Sequence, residues 1–349
     1  MKRQRLLLTL IVALAFLLPT LLGCAEKAPY GPAQVHFPED EGAHSEAKVE
    51  WWYLNATVSD NQGHQYTAML AYFNKTSQRP ALKIISIADL DAGVFHQDVP
   101  TISQLIVAKP NYAEGGLDLR WDDYDRWYRT DQESYHYSLQ AKGGSIGFTF
   151  DLAQEKPPLT VGGDGLVEWV DGSTYYYSLT RLRVEGQIEL LGKTIDVTGV
   201  GWMDHQWMGA MTGKGWQWFS IQLDDDTDII CWNILSTDNS VQSRDLTMML
   251  ADGSIYHTTD LELAATDSWV SPDTKETYGM TWRLQEPVHD IDLEIKARFP
   301  QQEIILLKEV PQIAWQIWEG GTTVSGQIDG SAVSGIGYAE LVPRIPAMG

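Results

Sequence analysis

Asp204 and His205 stand side by side in the run Gly199-Val200-Gly201-Trp202-Met203-Asp204-His205-Gln206-Trp207, and Trp216 and Trp218 follow within a few residues. A carboxyl group buried among apolar side chains is held neutral and can donate a proton. An imidazole can orient or deprotonate water, and indole faces attract a developing cation. Adjacent residues of a strand leave opposite faces, so Asp204 and His205 share one cavity only if a bulge or bend intervenes. Gly199, Gly201 and Gly209 supply the freedom for one. The pair could equally be a hydrogen-bonded strut that fixes a junction between two units.

Two further acids lie among aromatic residues: Glu50 in Glu50-Trp51-Trp52-Tyr53 and Glu340 in Gly335-Ile336-Gly337-Tyr338-Ala339-Glu340. With Tyr53, Trp202, Trp207, Trp216 and Trp218, they are the residues expected to line a substrate pocket. Structural roles compete with this reading. Fourteen tryptophans need burial before they need a ligand, and Glu50 and Glu340 could pair with Arg side chains or strand backbone. Cys231 reads as an inert core thiol.

Other signals fail on context. Gly143-Gly144-Ser145-Ile146-Gly147 matches a nucleophile-elbow pattern but sits between two strand-like runs, so a hairpin turn is expected. No His-Glu-x-x-His, Cys pair or His-x-His occurs, so no metal ligand set and no cofactor are expected. Asp122, Asp123, Asp125 and Asp131 lack the Gly and terminal Glu of a calcium loop and read as a solvated face.

The elements that must position these residues are β-strands. Short alternating or aromatic runs are separated by turn residues, as in 49–58 and 66–73 around Asp60-Asn61-Gln62-Gly63. The same holds for 166–170 and 174–184 around Asp171-Gly172, for 187–190 and 194–200, and for 246–251 and 254–258 around Asp252-Gly253. No 12-residue stretch of helical periodicity follows residue 48. At an offset of 165 the chain matches itself weakly: Trp51 with Trp216, Tyr53 with Trp218, Ala56 with Ile221 and Asp60 with Asp225. A duplicated unit of about 140–160 residues suits a closed barrel, with a β-sandwich pair as the alternative.

The early Glu-Trp-Trp-Tyr, the central Trp-Met-Asp-His-Gln-Trp, Gly215-Trp216-Gln217-Trp218-Phe219 with Gln222-Leu223-Asp224-Asp225, and the closing Gly-Ile-Gly-Tyr-Ala-Glu together resemble one family over residues 45–345. It is the family of carotenoid 1,2-hydratase (hydroxyneurosporene synthase) and the AttH-like secreted hydrolases. This sequence departs from the pattern at Asn55-Ala56, at Asp226-Thr227 and at Leu341-Val342-Pro343. The resemblance implies an all-β chain of two lipocalin-like antiparallel barrels packed side by side, 48–208 and 209–349. It also implies a hydratase (a carbon–oxygen lyase) or hydrolase acting on an apolar, isoprenoid- or lipid-like substrate. In that reading Asp204 is the general acid and His205 positions water, while the aromatic faces stabilise a tertiary cation. The competing reading is a carrier of a lipid or other hydrophobic ligand, without chemistry.

Lys2, Arg3 and Arg5 precede the apolar run 6–23, which ends Leu21-Leu22-Gly23-Cys24. A basic start and an apolar stretch mark an export signal, and its end resembles a bacterial lipobox, which implies a lipoprotein signal over 1–23 with Cys24 as the lipidation site; an ordinary signal peptide with an incidental Cys is the alternative. Residues 24–47, with Pro29, Pro32 and Pro38, read as a tether. The protein is then expected to be exported and anchored at the outer membrane or the outer face of the cytoplasmic membrane. Over 349 residues the formal net charge is −22, and loss of the three basic residues takes it to −25. Such a surface repels phosphate backbones, so no nucleic-acid partner is expected. Two cysteines exclude a disulfide scaffold, and 44% apolar against 21% charged residues marks a folded chain. The N-terminal peptide of protein extracted from its own membrane should begin at Cys24 and carry acyl chains in a mass spectrum. An unmodified Cys24 would remove the anchor.

Overall fold

The computed structural model describes residues 35–75, 80–131, 134–169, 172–209, 215–236, 238–310 and 314–343. The signal segment, Cys24 and the first part of the expected tether lie outside the described residues. Among the described residues strands dominate, with a single turn of 3-10 helix at Glu39–Glu41 and one short helix, Ile102–Val107, closed at its start by a Thr101/Gln104 capping box. Turn chemistry sets the hairpins. Asp60 Oδ1 accepts the backbone N–H groups of Gln62 and His64 at 2.8 and 2.9 Å, and Gly63 takes φ +86°. The Gly143-to-Gly147 run is a hairpin turn between His136–Gly143 and Ile146–Gln154, as its context required.

Two antiparallel sheets result, and they repeat one strand order. The first runs from Val94–Asp98 through Leu82–Asp89, Gln65–Phe73, Val49–Ser59, Lys193–Met208, Gly172–Leu190 and Ile146–Gln154 to His136–Gly143 and the short strands beyond it. The second runs Ile255–Thr258, Val241–Met249, Asp228–Leu235, Trp216–Leu223, Ser331–Val342, Trp315–Ile328, Ile291–Ala297, Thr277–Glu286, Glu262–Val270. In each unit the first strand lies beside the last. Residues 165 apart take matching partners: Tyr53 faces Asp204 and Trp218 faces Glu340, while Val58 faces Gly199 and Leu223 faces Gly335. A Cβ on Gly199 would sit 2.1 Å from Thr57 O, and one on Gly335 2.3 Å from Gln222 O. The two Gly-x-Gly runs thus admit the same close strand approach.

Each sheet curls over its own core. Trp52, Leu54, Trp127, Phe150 and Tyr177 help fill the first, and Phe219, Leu246, Trp282 and Trp318 the second. Among the described residues neither strand path closes on itself by hydrogen bonds. A third core forms where the outer faces of the two sheets meet, with Tyr53, Met69, Tyr176 and Trp202 packed against Trp218, Ile230, Trp232 and Tyr338. Central strands are therefore buried on both faces; every residue of Asp228–Leu235 is buried, whereas Thr277–Glu286 alternates between buried and more exposed positions. At this seam residues meet their own counterparts. The rings of Tyr53 and Trp218 lie 5.7 Å apart, and Asn55 Nδ2 donates to Ser220 Oγ at 3.5 Å. Such contacts are those of a local two-fold relation.

Two expectations need correction. Residues 35–47 are part of the first unit, not a tether. Glu41 is fully buried, accepting from Tyr137 Oη at 2.6 Å and Arg129 Nη1 at 2.9 Å, and Trp52 Nε1 donates to its carbonyl. Pro and charge content suggested a linker, but Phe37 and Glu41 find partners that only the folded sheet provides. Asp125 likewise is no solvated face: it is buried against Lys83 Nζ at 2.5 Å and accepts the Lys142 backbone N–H. Cys231 is buried in the second core, and burial pushes its thiol pKa up.

The units are also tied by charge. Asp228 of the second unit, fully buried, accepts from Arg181 Nη2 at 2.7 Å and Thr180 Oγ1 at 2.9 Å, with Lys156 Nζ at 2.8 Å. Asp228→Ala removes the buried carboxylate shared by two cations of the first unit, Arg181 keeping Asp226 at 3.2 Å and Leu223 O at 3.0 Å, and should cost about 3 kcal/mol in denaturant unfolding. A cost below about 1 kcal/mol would contradict a coupled seam.

Candidate active site

Strand alternation decides where the chemical groups point. Lys193–Met208 keeps an unbroken register with Val49–Ser59 through Asp204 and His205, with Tyr53 opposite Asp204 and Trp52 opposite His205. The expected bend does not occur there, and the one local irregularity falls in the neighbouring strand between Leu179 and Leu182. Asp204 therefore joins Trp202 at the seam, while His205 joins Met203 and Trp207 on the inner side of the first unit. The two residues do not share a cavity, and the pairing of Asp204 as acid with His205 as water holder is corrected on this ground.

Apart from the ion-paired Asp228, three carboxyl groups stand together at the seam: Asp204, Glu319 and Glu340. Asp204 Oδ1 accepts from Ser178 Oγ at 2.6 Å and Trp202 Nε1 at 2.7 Å, and Oδ2 accepts from Tyr176 Oη at 2.5 Å. Trp218 Nε1 donates in turn to Tyr176 Oη at 3.0 Å, which links the units. Glu319 and Glu340 are direct cross-strand partners. Tyr53 Oη donates to Glu319 Oε2 at 2.8 Å, and Trp216 Nε1 donates to Glu340 Oε1. Among the described residues none of the three acids has an Arg or Lys partner.

Burial without a countercharge drives all three toward the neutral form. Desolvation raises Asp204 to about 6 against its three donors, and raises Glu340 to about 7, helped by the charge of Asp204. Glu319 is pushed well above the carboxylate range by desolvation and then by Glu340. Glu319 and Glu340 are a coupled pair: Glu340 raises Glu319, and the hydrogen bond between them favours the ionised form of Glu340. Asp204 is locked by three donors at 3% exposure, whereas Glu340 is only partly buried and is held by the partly exposed Trp216. Gln206, on the Asp204 face, has its Nε2 unpartnered among the described residues.

The remaining candidates gather elsewhere. Glu50 Oε1 lies 3.1 Å from His205 Nε2 and 2.8 Å from His44 Nδ1, and Asn74 Nδ2 donates to Oε2 at 2.7 Å. Trp207 stacks on His44 with centroids 4.0 Å apart. The expected pocket residues thus divide: Tyr53, Trp202, Trp216, Trp218 and Glu340 belong to the seam, Glu50 and Trp207 to the histidine cluster. Among the described residues neither Glu50 nor Glu340 pairs with Arg. Sequence reading missed Tyr176, Ser178 and Glu319 at the seam and His44 and Asn74 in the cluster. An acid in the apolar, small-residue run Trp318-Glu319-Gly320-Gly321 was the available signal for Glu319. A groove of about 640 Å³ on the second unit, beside Trp282, Arg283, Asp292 and Gln327, touches neither group.

A family model described as AttH-like matches residues 28–343. The chain belongs to the AttH-like family. This AttH-like chain also resembles solved structures. NE1406 of Nitrosomonas europaea, assigned as an AttH, is 25% identical with a TM-score of 0.76, over 92% of this chain and 100% of that one. Kievitone hydratase from Nectria haematococca is 17% identical with a TM-score of 0.73, over 92% and 96%. The fold expectation of two lipocalin-like antiparallel units is met. Among curated sequences, the dehydratase asqC of Emericella nidulans is 21% identical over 219 residues, 59% of this chain and 61% of that protein. The AttH-like chain thus aligns with about three-fifths of that relative's length.

The raised carboxyl groups fix a pH dependence of stability. An unfolded chain releases the protons of Asp204 and Glu340 near pH 4, and the folded chain holds them to about 6 and about 7. The stabilising contribution is complete below about pH 4 and is lost as pH rises through 6 and 7. At about 1.4 kcal/mol per pH unit, the loss due to Asp204 is on the order of 3 kcal/mol. Asp204→Asn should flatten that fall in denaturant melts between pH 4 and 7; an unchanged slope would show Asp204 ionised throughout.

Proposed function

We propose that this AttH-like protein is an acid–base enzyme that adds water to, or removes it from, an apolar isoprenoid- or lipid-like substrate at the seam. The observation carrying this reading is the set of buried carboxyl groups without cations, one of which, Glu340, is partly open beside indole rings. Hydration of a trisubstituted alkene needs a neutral acid at working pH. Glu340 gives its proton to the less substituted carbon, the π pair forms the C–H bond, and the positive charge on the other carbon faces Trp216 and Trp218. Water forms the C–O bond and its surplus proton returns to the Glu319–Glu340 pair. Dehydration is the reverse. Asp204 acts one step back, holding Tyr176 and through it Trp218. The names of two relatives, a hydratase and a dehydratase, agree with this class of reaction. A lipid anchor at Cys24 would place such a site on a membrane face outside the cytoplasm, close to apolar substrates.

The test offers prenyl-bearing small molecules in ¹⁸O-water and follows label in the product by mass spectrometry. Glu340→Gln should lower kcat by about 10²–10⁴-fold with ligand binding retained, and the wild-type rate should fall as pH rises above about 7. Saturable binding with no label in any product would make the protein a carrier. Equal turnover by Glu340→Gln would move the acid elsewhere.

A further inference from the structure

The histidine cluster lies on the other side of the Lys193–Met208 strand from the seam acids, and the proposed reaction does not use it. Its ligand atoms, His44 Nδ1, Glu50 Oε1 and His205 Nε2, converge from three places in the chain. One ligand atom from each residue can be chosen so that all lie within 4.8 Å of one another.

Proton counting shows what the cluster lacks. His205 Nε2 faces Glu50 Oε1 at 3.1 Å and its Nδ1 faces the Asp40 carbonyl at 3.0 Å. A neutral imidazole has one N–H, so one of these two contacts sets a lone pair against an acceptor. His44 repeats the problem, with Nδ1 2.8 Å from Glu50 Oε1 and Nε2 3.4 Å from Asp40 Oδ1. Protonating both rings would satisfy the count, but it would place two imidazolium rings 5.6 Å apart, one of them fully buried. That arrangement is costly.

We propose that His44, Glu50 and His205 bind one first-row divalent cation, zinc foremost. Two imidazoles and a carboxylate suit such an ion and leave a coordination position open for water. The outward nitrogens then fall into place: His205 Nδ1–H donates to the Asp40 carbonyl, and His44 Nε2–H donates to the Asp40 carboxylate. Asn74 Nδ2 and the His44 backbone N–H hold the second oxygen of Glu50. Every ligand has an outer partner that fixes its orientation. Stacking locks the rings as well, with His44 on Trp207 and His205 on Trp52 at 4.5 Å. His44 is 16% exposed at its side chain while Glu50 and His205 are closed, so the ion enters from the His44 side. Bound there, it pins residues 36–44 to the first sheet.

The test uses the full, tag-free protein, stripped with a chelator and titrated with Zn²⁺ by calorimetry and with Co²⁺ by visible spectroscopy. One equivalent should bind with a Kd below about 1 µM and raise the melting temperature. His205→Ala and His44→Gln should abolish the Co²⁺ spectrum. Asp40→Asn, which removes no ligand and should fold should His205→Ala fail to, is expected to weaken binding about 10–100-fold. Absence of saturable binding to the wild type overturns the proposal. So does binding that His44→Gln and Asp40→Asn leave unchanged.

Discussion

The seam is the constraint on which the rest depends. Two strand pairs that each wall a core on one face must also cover the other face, and they do so against each other. Burying an aromatic or aliphatic side chain there contributes about 1.5–3 kcal/mol, and the seam holds many. That gain outweighs the several kcal/mol that unpaired ionised acids would cost, and protonation lowers the cost further. Asp204, Glu319 and Glu340 are thus pushed toward the neutral form by the packing around them. A stable fold and a proton donor near neutrality arise from the same burial.

The duplication was shared out unequally. Asp204 and Glu340 are counterparts, each opposite an aromatic residue of the leading strand. Their surroundings differ: three donors seal Asp204, whereas Glu340 faces a second acid and a partly exposed tryptophan. The counterpart of His205 is Leu341, and that of Glu50 is Gly215, so the histidine cluster belongs to the first unit only. One strand, Lys193–Met208, serves both groups from its two faces.

Much of the architecture was legible. Asp-Gly turns, alternating runs and the offset of 165 mark hairpins and two repeated units, because turn geometry and strand period are local properties. The Gly-x-Gly runs were visible too, though their reason, a carbonyl of the neighbouring strand where a Cβ would sit, needed the paired sheet. Residues 35–47 misled because Pro and charge content describe a free chain; Glu41 is buried by Arg129 and Tyr137, some ninety residues away.

The candidate site was legible in its parts and not in its grouping. The amino-acid sequence by itself determined the β class, the alternation that sends Asp204 and His205 apart, and the presence of acids among aromatics. Only tertiary structure decided that Asp204 stands with Tyr176 and Ser178 while Glu340 stands with Glu319, and that His205 stands with Glu50 and His44. Strand period is set by each residue's own backbone, whereas burial, countercharge and hydrogen-bond partners are set by which distant strands pack together. Here those partners lie 155 residues apart for Glu50 and His205, and 266 apart for Tyr53 and Glu319.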